Sequence, residues 1–243
     1  MGEFNLNNHI EKHYNEKYAE NTQDKVEKIN AGCHPVHRNE AAVLMALGGT
    51  GRLLEIGSGN GQILLSLEGY YQECVGIELS SVRAEASRKL LARYAHMNVL
   101  TGNFETMALP FKEGYFDAII SVAVIEHVID PFHFCERMYH LLKPGGKVIV
   151  DTPNLAKWTR RIKLLCGRFP STASLDEGFL AYDRKSATTL YDEGHFHYFT
   201  FRSLRKTLER AGFKQVKYHG YGKNPLVQLW PTLFSECLVT AIK

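Results

Sequence analysis

Three glycines at alternate positions, directly after a short apolar run, constrain the fold of this 243-residue chain more than any other feature. Residues 53–56 have the composition of a buried strand, and Gly57, Gly59 and Gly61 follow them before a helix-compatible segment, 62–67. Glycine is needed where the backbone takes a positive φ or lies within contact distance of a ligand. The helix N-terminus behind the turn offers unpaired N–H groups and a positive dipole end. The stretch therefore predicts a strand, a tight turn and a helix that cradle a cofactor.

The glycine spacing and two acidic residues narrow the class of ligand. A dinucleotide-binding turn has the pattern G-x-G-x-x-G, whereas this turn reads G-x-G-x-G, with Gln62 where the dinucleotide pattern has glycine. Glu55, inside the strand end, would repel a pyrophosphate and attract an ammonium group. Glu78 ends the next predicted strand, 17 residues after Gly61 (78 − 61), close to the ~20-residue interval at which an acid binds a ribose hydroxyl. The pattern favours a ligand that carries both a ribose and a cationic group.

Composition limits the class of protein. The length suits one large domain, and 44% hydrophobic and 23% charged residues are ordinary for a globular chain. A net charge of +3 is too small to indicate a nucleic acid or a membrane as partner. Five cysteines without a C-x-x-C pair favour a reduced setting. The polar N-terminus does not resemble a signal peptide, and no apolar run approaches the ~20 residues of a membrane span. We expect a cytoplasmic protein that acts on a small molecule.

Strands and helices alternate along the chain. Seven segments have the composition of strands: 53–56, 74–80, 99–102, 116–122, 147–152, 213–221 and 238–242. The predicted helices are 38–47, 62–67, 80–96, 131–142, 158–166 and 201–212. Helices between successive strands imply parallel strands with right-handed crossovers, while the last two strands, joined by the loop 229–235, should pair antiparallel. We therefore predict an α/β fold with a doubly wound, Rossmann-like seven-stranded sheet, mostly parallel with one antiparallel strand.

A long insert follows the fifth strand. Residues 155–194 contain a basic amphipathic helix, 158–166, and then Phe179, Tyr182 and Tyr191 in a polar stretch. In an open α/β sheet, chain inserted beyond the carboxyl end of a strand overhangs the ligand crevice. We interpret the insert as a cap that faces the substrate, and we expect the basic face of its helix to be solvated.

Taken in order, these motifs resemble those of class I S-adenosylmethionine-dependent methyltransferases. The glycine turn resembles motif I of that family, and Glu78 resembles its ribose-binding acid. The resemblance runs from about residue 40 to 220 through the further blocks 102–111, 115–121, 124–128, 142–146, 152–154 and 211–213. It implies S-adenosylmethionine as cofactor, a methyltransferase domain over 38–243 and a helical lid over 1–37 that closes over cofactor and substrate.

The resemblance also implies roles for individual residues. The residues expected to bind the methionine part of the cofactor lie in the turn and at the end of the fourth strand: Glu55, Gly57, Ser58, Gly59, Gly61, Ser121 and Ala123. The residues expected to bind the ribose and adenine lie at the end of the second strand and after the third: Glu78, Leu79, Asn103 and Phe104. From the lid, whose Ile10, Tyr14 and Tyr18 form one helical stripe, the two tyrosines are assigned to the cofactor.

Histidines after the fourth strand and in a later loop are the candidates for catalysis. Methyl transfer from a sulfonium depends mostly on the alignment of the nucleophile, the methyl group and the sulfur atom. A general base is needed only where the nucleophile arrives protonated. Imidazole titrates near neutral pH. We take His127 as the first candidate for a base and His197 as the second, with Glu126 beside the first and His195 beside the second.

Glu126 and His127 resemble part of an E-x-x-E-H motif. It occurs in ubiquinone-pathway O-methyltransferases and in 2′-O-methyltransferases of small-RNA 3′ ends, where two glutamates and two histidines hold a divalent metal beside the acceptor oxygen. Here Ala123 stands in the place of the first glutamate, and the loss of a hard oxygen ligand weakens such a site. We therefore expect no metal at the remnant formed by Glu126, His127 and His197. The modest charge also disfavours RNA as substrate.

The sequence thus predicts methyl transfer to a small molecule, at oxygen. One alternative is an N- or C-methyltransferase that acts by alignment alone, for which His127 would be dispensable. Another is a non-catalytic protein that binds S-adenosylmethionine for a partner. A nucleotide-dependent oxidoreductase is disfavoured by the glycine spacing and by Glu55.

Overall fold

The computed structural model describes residues 6–18, 26–30, 32, 34–172 and 194–243. Its helices are α1 (Leu6–Tyr18), α2 (Arg38–Ala46), α3 (Gln62–Ser66), α4 (Ser81–Leu91), α5 (Pro131–Leu141), α6 (Trp158–Leu165), α7 (Phe201–Arg210) and α8 (Pro231–Phe234). Its strands are β1 (Arg52–Ile56), β2 (Glu73–Glu78), β3 (Met97–Thr101), β4 (Phe116–Val122), β5 (Leu142–Thr152), β6 (Lys214–His219) and β7 (Cys237–Ile242). The parts of the expected lid and cap at 1–5, 19–25, 31, 33 and 173–193, with Phe179, Tyr182 and Tyr191, lie outside the described residues.

The strands form one sheet in the order β3-β2-β1-β4-β5-β7-β6. Strands β1 to β5 run parallel, and β7 runs antiparallel to both of its neighbours, β5 and β6. This arrangement confirms the predicted seven-stranded, doubly wound sheet. The strand order reverses direction between β1 and β4, and ligands of open α/β sheets bind at the carboxyl ends of the strands at such a switch point.

Both faces of the sheet are covered by helices. In β4, Ile119 packs into the cluster that includes α5 and α7, and its neighbour Ile120 packs into the opposite cluster with α2, α3 and α4. Successive side chains of a strand point to opposite faces, so a strand covered on both sides needs a continuous apolar run. That requirement explains the composition of the central strands. No helix in the described part of the chain is long and apolar enough to cross a membrane.

The turn predicted at 143–146 lies inside β5. Leu142 pairs with Phe116 and Lys147 pairs with Ala118, so four residues bulge opposite the single Asp117. The ammonium group of Lys143 lies 2.7 Å from both carboxylate oxygens of Asp117, which stabilises the bulge. The strand therefore begins five residues earlier than the sequence predicts.

Other boundaries shift by a few residues. Helix α4 has the predicted N-cap, since the Ser80 hydroxyl accepts from the Arg83 amide, but it ends at Leu91 rather than at residue 96. A turn closed by the Tyr94 amide on the Leu91 carbonyl leads into β3. The predicted loop 229–235 contains the short helix α8, which begins at Pro231, a residue suited to the first helical position.

Replacement of Ile149 in β5 by alanine should destabilise the fold because the side chain is fully buried at the sheet centre. The expected loss in the free energy of unfolding is about 2–5 kcal/mol, the usual cost of such a cavity. Ile162→Ala is the matched control, since that side chain is 50% exposed and should change stability by no more than ~0.5 kcal/mol. Urea unfolding measures both, and similar losses in the two variants would contradict the assigned core.

Candidate active site

The glycine turn has the backbone that the sequence predicts. Gly57, Gly59 and Gly61 all have positive φ, at +74°, +55° and +82°. A Cβ on Gly57 would lie 2.4 Å from Val124 Cγ2, and one on Gly59 would lie 2.4 Å from Arg83 Nη2. Any larger residue would therefore be both strained and in collision with the walls of the adjoining cavity.

A cavity of ≈ 590 Å³ opens at the carboxyl ends of β1 and β4. Most of the candidate site residues line it: Tyr14, Tyr18, Glu55, Gly57, Ser58, Gly59, Glu78, Leu79, Asn103, Phe104, Ala123, Glu126 and His127. The size suits one drug-sized or cofactor-sized ligand, for which pockets of about 300–1,000 Å³ are usual. The structure thus brings together residues from β1, β2, β4, the loop after β3 and α1.

Three candidate residues do not line the cavity. Gly61 directly precedes α3, and a Cβ there would lie 2.4 Å from Ser87 Oγ. Ser121 is fully buried within β4. His197 lies outside the wall, with its Nε2 3.2 Å from the carbonyl oxygen of Ile129.

Two acidic side chains flank the glycine turn. Glu55 is 3% exposed, and burial raises its pKa well above the ordinary value. Its Oε2 has no hydrogen-bond partner among the described residues. Glu78 accepts hydrogen bonds from the amides of Gly59 (2.7 Å) and Ser80 (2.9 Å). The Glu55 carboxyl group therefore keeps an acceptor oxygen that a cationic ligand could use. The Glu78 carboxylate is held in place by the two backbone amides.

Helix α1 packs over the cavity. Tyr14 and Tyr18 stack with ring centroids 6.0 Å apart, and the Arg83 guanidinium lies 4.2 Å above the ring centroid of Tyr18. The Oδ1 of Asn15 accepts a hydrogen bond from the Ser80 hydroxyl. Burial raises the pKa of Tyr14, so its hydroxyl keeps its proton. These contacts place α1 against the ends of β2 and α4, where the sequence predicts a lid.

The geometry of His127 defines its tautomer. Its Nδ1 lies 3.0 Å from the carbonyl oxygen of Gly194. A carbonyl can only accept, so Nδ1 carries the proton and Nε2 is the atom of the neutral ring that can take up another. The His127 ring lies 4.6 Å from that of His195, centroid to centroid, and the His195 Nδ1 lies 2.6 Å from the Thr172 hydroxyl.

Glu126 is the buried neighbour of this histidine pair. It is 1% exposed, and burial raises its pKa to about 7. Its Oε2 accepts a hydrogen bond of 2.8 Å from the Thr152 hydroxyl, whereas its Oε1 has no hydrogen-bond partner among the described residues. Potential ligand atoms of Glu126, His127 and His195 all lie within 4.8 Å of one another. The second histidine of this cluster is His195, not the predicted His197.

Sequence reasoning missed a charged group on the cavity wall. Arg38, the first residue of α2, lines the cavity, and its Nε lies 3.6 Å from Oδ1 of Asp151. The other oxygen of Asp151 accepts a hydrogen bond of 2.8 Å from the Tyr221 hydroxyl. Asp151 is fully buried, and burial raises its pKa to about 6. The sequence does contain one indication of this cation. Asp151 is an acid inside the apolar strand β5, and a buried acid requires a buried partner.

A family model described as "Methyltransferase domain" matches residues 14–218. A ubiquinone biosynthesis O-methyltransferase from Nitrobacter winogradskyi is 33% identical over 125 residues, which are 51% of this chain and 46% of that protein. The chain thus matches about half the length of this relative. Another protein of that name, from Rhodopseudomonas palustris, is 27% identical over 201 residues, 83% of this chain and 72% of that protein.

Solved structures share the fold. One is described as an S-adenosylmethionine-dependent methyltransferase, possible histamine N-methyltransferase, from Thermotoga maritima. It aligns with a TM-score of 0.57 and 22% identity over 84% of this chain and 89% of that one.

Asp151→Asn should remove part of the pH dependence of stability. The pKa of Asp151 rises from 3.8 to about 6 in the fold, so the folded state keeps a proton that the unfolded state has lost. The wild-type free energy of unfolding should therefore fall as the pH rises from about 4 to about 6, with a share of roughly 3 kcal/mol from this group. Asparagine cannot titrate, and the variant should lack that share.

Urea unfolding at pH 4, 5, 6 and 7 measures the difference between the two proteins. Tyr221→Phe is the second variant: it keeps Asp151 but removes a hydrogen bond that lowers its pKa, so the fall should extend to higher pH. Parallel pH curves for wild type and Asp151→Asn would contradict the assignment.

Proposed function

The chain belongs to the methyltransferase domain family, whose cofactor is S-adenosylmethionine, and from that premise we propose that it methylates a hydroxyl oxygen of a small molecule. The observation that carries the proposal is the orientation of His127 in the wall of the cavity. Because Nδ1 donates its proton to the Gly194 carbonyl, Nε2 is the nitrogen of the neutral ring that can accept a proton from a nucleophile. The relatives named O-methyltransferases also support oxygen as the acceptor atom.

The residues of the cavity fit the charges of the cofactor. The unpaired Oε2 of the buried Glu55 suits the ammonium group of the methionine part, and an ammonium beside it would favour the ionised carboxylate that burial otherwise disfavours. The methionine carboxylate needs a cation, and Arg38 offers one on the wall near β5. We therefore propose Glu55 and Arg38 as the two ends of the methionine subsite.

The nucleoside part fits the opposite end. Glu78, which ends β2, is proposed to accept hydrogen bonds from the ribose hydroxyls with the lone pairs that Gly59 and Ser80 do not use. Leu79, Asn103 and Phe104 line the adjoining wall and are proposed to contact the adenine. Tyr14 and Tyr18 would then close over the cofactor from α1.

The proposed reaction is a direct displacement. Bound S-adenosylmethionine would supply its methyl carbon to the acceptor oxygen, and the electron pair of the broken carbon–sulfur bond would remain on sulfur as a neutral thioether. The hydroxyl proton passes to Nε2 of His127. Most of the acceleration comes from alignment, and the base contributes because a neutral hydroxyl is a poor nucleophile.

Glu126, His127 and His195 are also the side chains that could hold a divalent cation. They supply three donor atoms, and Ala123, which has a strained φ of +54°, supplies none. A bound cation would act as a Lewis acid on the acceptor oxygen. We propose the base mechanism because the oxygen ligand that the E-x-x-E-H motif has at position 123 is missing, and the loss of a hard oxygen ligand weakens such a site.

Glu78→Ala should abolish most of the affinity for S-adenosylmethionine. Two hydrogen bonds to a carboxylate are lost, each worth about 1.5–3 kcal/mol, so the dissociation constant should rise by at least about 100-fold. Calorimetry with S-adenosylmethionine and with NAD measures this directly. His197→Ala is the control, because that residue lies outside the cavity wall, and it should bind like wild type. Wild-type binding of NAD alone would contradict the cofactor assignment.

His127→Ala should lower turnover while leaving cofactor binding within about twofold, because a general base contributes roughly 10²–10⁴ to the rate. The assay measures release of S-adenosylhomocysteine with a panel of phenols and of matched anilines as acceptors. His197→Ala should keep wild-type turnover, and a chelator should change nothing. An unchanged rate in His127→Ala would favour the N- or C-methyltransferase that works by alignment. Loss of wild-type turnover with the chelator would favour the metal-assisted alternative.

A further inference from the structure

Asp151 is a costly residue for its position in the sheet. It lies near the end of β5, where its backbone pairs with Val122 of β4 and Leu238 of β7, and its side chain is fully buried. Its Oδ1 has no hydrogen-bond partner among the described residues. A buried acid is usually less stabilising than an apolar residue of similar volume. The packing of the sheet therefore does not explain why an acid stands here.

The face of β5 on which Asp151 lies is the face that α2 covers. Side chains of a strand alternate between its two faces, and Ile149, two residues earlier, packs into the cluster that contains Ala41 and Ala42 of α2. The first residue of α2 is Arg38, and its Nε lies 3.6 Å from Oδ1 of Asp151. Because the buried apolar residues of α2 hold the helix against the sheet, the acid faces a cation whose backbone is fixed.

The Arg38 guanidinium has two edges that can bind a carboxylate. One edge consists of Nε and a terminal nitrogen, the other consists of the two terminal nitrogens, and each can form two parallel hydrogen bonds. In Arg38 the Nε edge faces Asp151. The side chain lines the cavity and is 37% exposed, and no hydrogen bond joins its guanidinium to a described residue. The edge formed by the two terminal nitrogens is therefore available to a ligand in the cavity.

Tyr221, which follows β6, fixes the acid from its other side. Its hydroxyl donates a hydrogen bond of 2.8 Å to Oδ2 of Asp151. The backbone of Tyr221 is itself held by Ser235, whose hydroxyl accepts from the Tyr221 amide and donates to the Tyr221 carbonyl oxygen. Tyr221, Asp151 and Arg38 thus form a chain of contacts that ends in the wall of the cavity. Neither the tyrosine nor the acid lines the cavity, so neither contacts a ligand bound there.

We propose that Asp151 and Tyr221 are positioning residues that hold Arg38 with its terminal nitrogens toward the methionine carboxylate of the cofactor. This inference rests on the proposed function, which assigns Arg38 to that carboxylate. A free arginine side chain samples many rotamers and loses that freedom when it binds a ligand. Because Asp151 restricts the guanidinium before the cofactor arrives, less conformational entropy is lost on binding. The geometry of the ligand site, rather than the stability of the sheet, then explains the buried acid.

Two ligands that differ in one group test the proposal with the full chain. Decarboxylated S-adenosylmethionine lacks the carboxylate that Arg38 would bind, and it keeps the ammonium, the sulfonium and the nucleoside of S-adenosylmethionine. Tyr221→Phe keeps both charges but releases Asp151. It should raise the dissociation constant for S-adenosylmethionine by about three- to tenfold, the cost of ordering one long side chain, and change that for the analogue by no more than about twofold. Calorimetry at about pH 8, where Asp151 with its pKa of about 6 is ionised, measures both.

Tyr71→Phe is the matched control. The Tyr71 hydroxyl also donates a buried hydrogen bond of 2.8 Å, to the carbonyl oxygen of Ala46 at the end of α2, but Tyr71 does not line the cavity. This variant should bind both ligands like wild type, and thermal melts should show both variants folded. An equal loss of affinity in Tyr71→Phe would mean that any loosening of the fold has this effect, and it would overturn the positioning role.

A double-mutant cycle measures whether Tyr221 acts through Arg38. Arg38→Met should weaken the binding of S-adenosylmethionine by about tenfold or more. Tyr221→Phe should add nothing in that background, because the side chain that it positions is gone. Additive losses in the double variant would overturn the positioning role.

The remaining outcomes separate this inference from the proposed function. Unchanged binding of S-adenosylmethionine by Arg38→Met would contradict the proposed methionine subsite and this inference with it. A loss in Arg38→Met with unchanged binding in Tyr221→Phe, or with equal losses for the two ligands in Tyr221→Phe, would overturn the positioning role alone. So would tighter binding of S-adenosylmethionine by Asp151→Ala, because the acid would then compete with the cofactor for the guanidinium.

Discussion

The carboxylate of Glu78 ties the glycine turn to the end of β2, and the geometry of the candidate site depends on that tie. It accepts hydrogen bonds from the amides of Gly59 and Ser80. Ser80 caps α4, and its hydroxyl also donates to Asn15 in α1. One buried acid therefore aligns the turn, the second crossover and the proposed lid. A carboxylate so engaged cannot rearrange freely, which makes the nucleoside end of the cavity preorganised for a ligand.

The other end of the cavity is held by buried charges. Arg38 faces Asp151, which is held by Tyr221, while Glu126 lies beside Thr152 at the end of the same strand. Burial raises the pKa of both acids into the range near neutrality. Perturbed pKa values of this kind are common at functional sites, because desolvated ionisable groups are costly elsewhere. The proposed methionine and acceptor subsites coincide with this cluster.

The order of strands and helices was predictable because hydrophobic periodicity and the glycine turn act locally. The residues at which individual helices and strands begin and end were less predictable. The bulge at 143–146 depends on the ion pair between Lys143 and Asp117, which are 26 residues apart. The choice between two histidines depends on longer contacts still. His195 reaches the cavity and His197 does not, because the backbone of Glu126 accepts hydrogen bonds from the amides of Phe196 and His197 and thereby orients that loop.

The sequence by itself determined the doubly wound sheet, the glycine turn after β1 and the acids that flank that turn, since each follows from residues close together in the chain. The tertiary structure alone decided which side chains share the cavity, and it brought Arg38 to a wall that no local pattern marks. It also decided which face of α6 points outward. The helix is amphipathic in either orientation, and the ion pairs of Lys157 and Arg160 with Glu236, nearly 80 residues away, hold its polar side against the domain. The local sequence pattern thus specifies where helices and strands form, whereas charge pairs between residues distant in the sequence specify which side of a helix such as α6 packs on the domain.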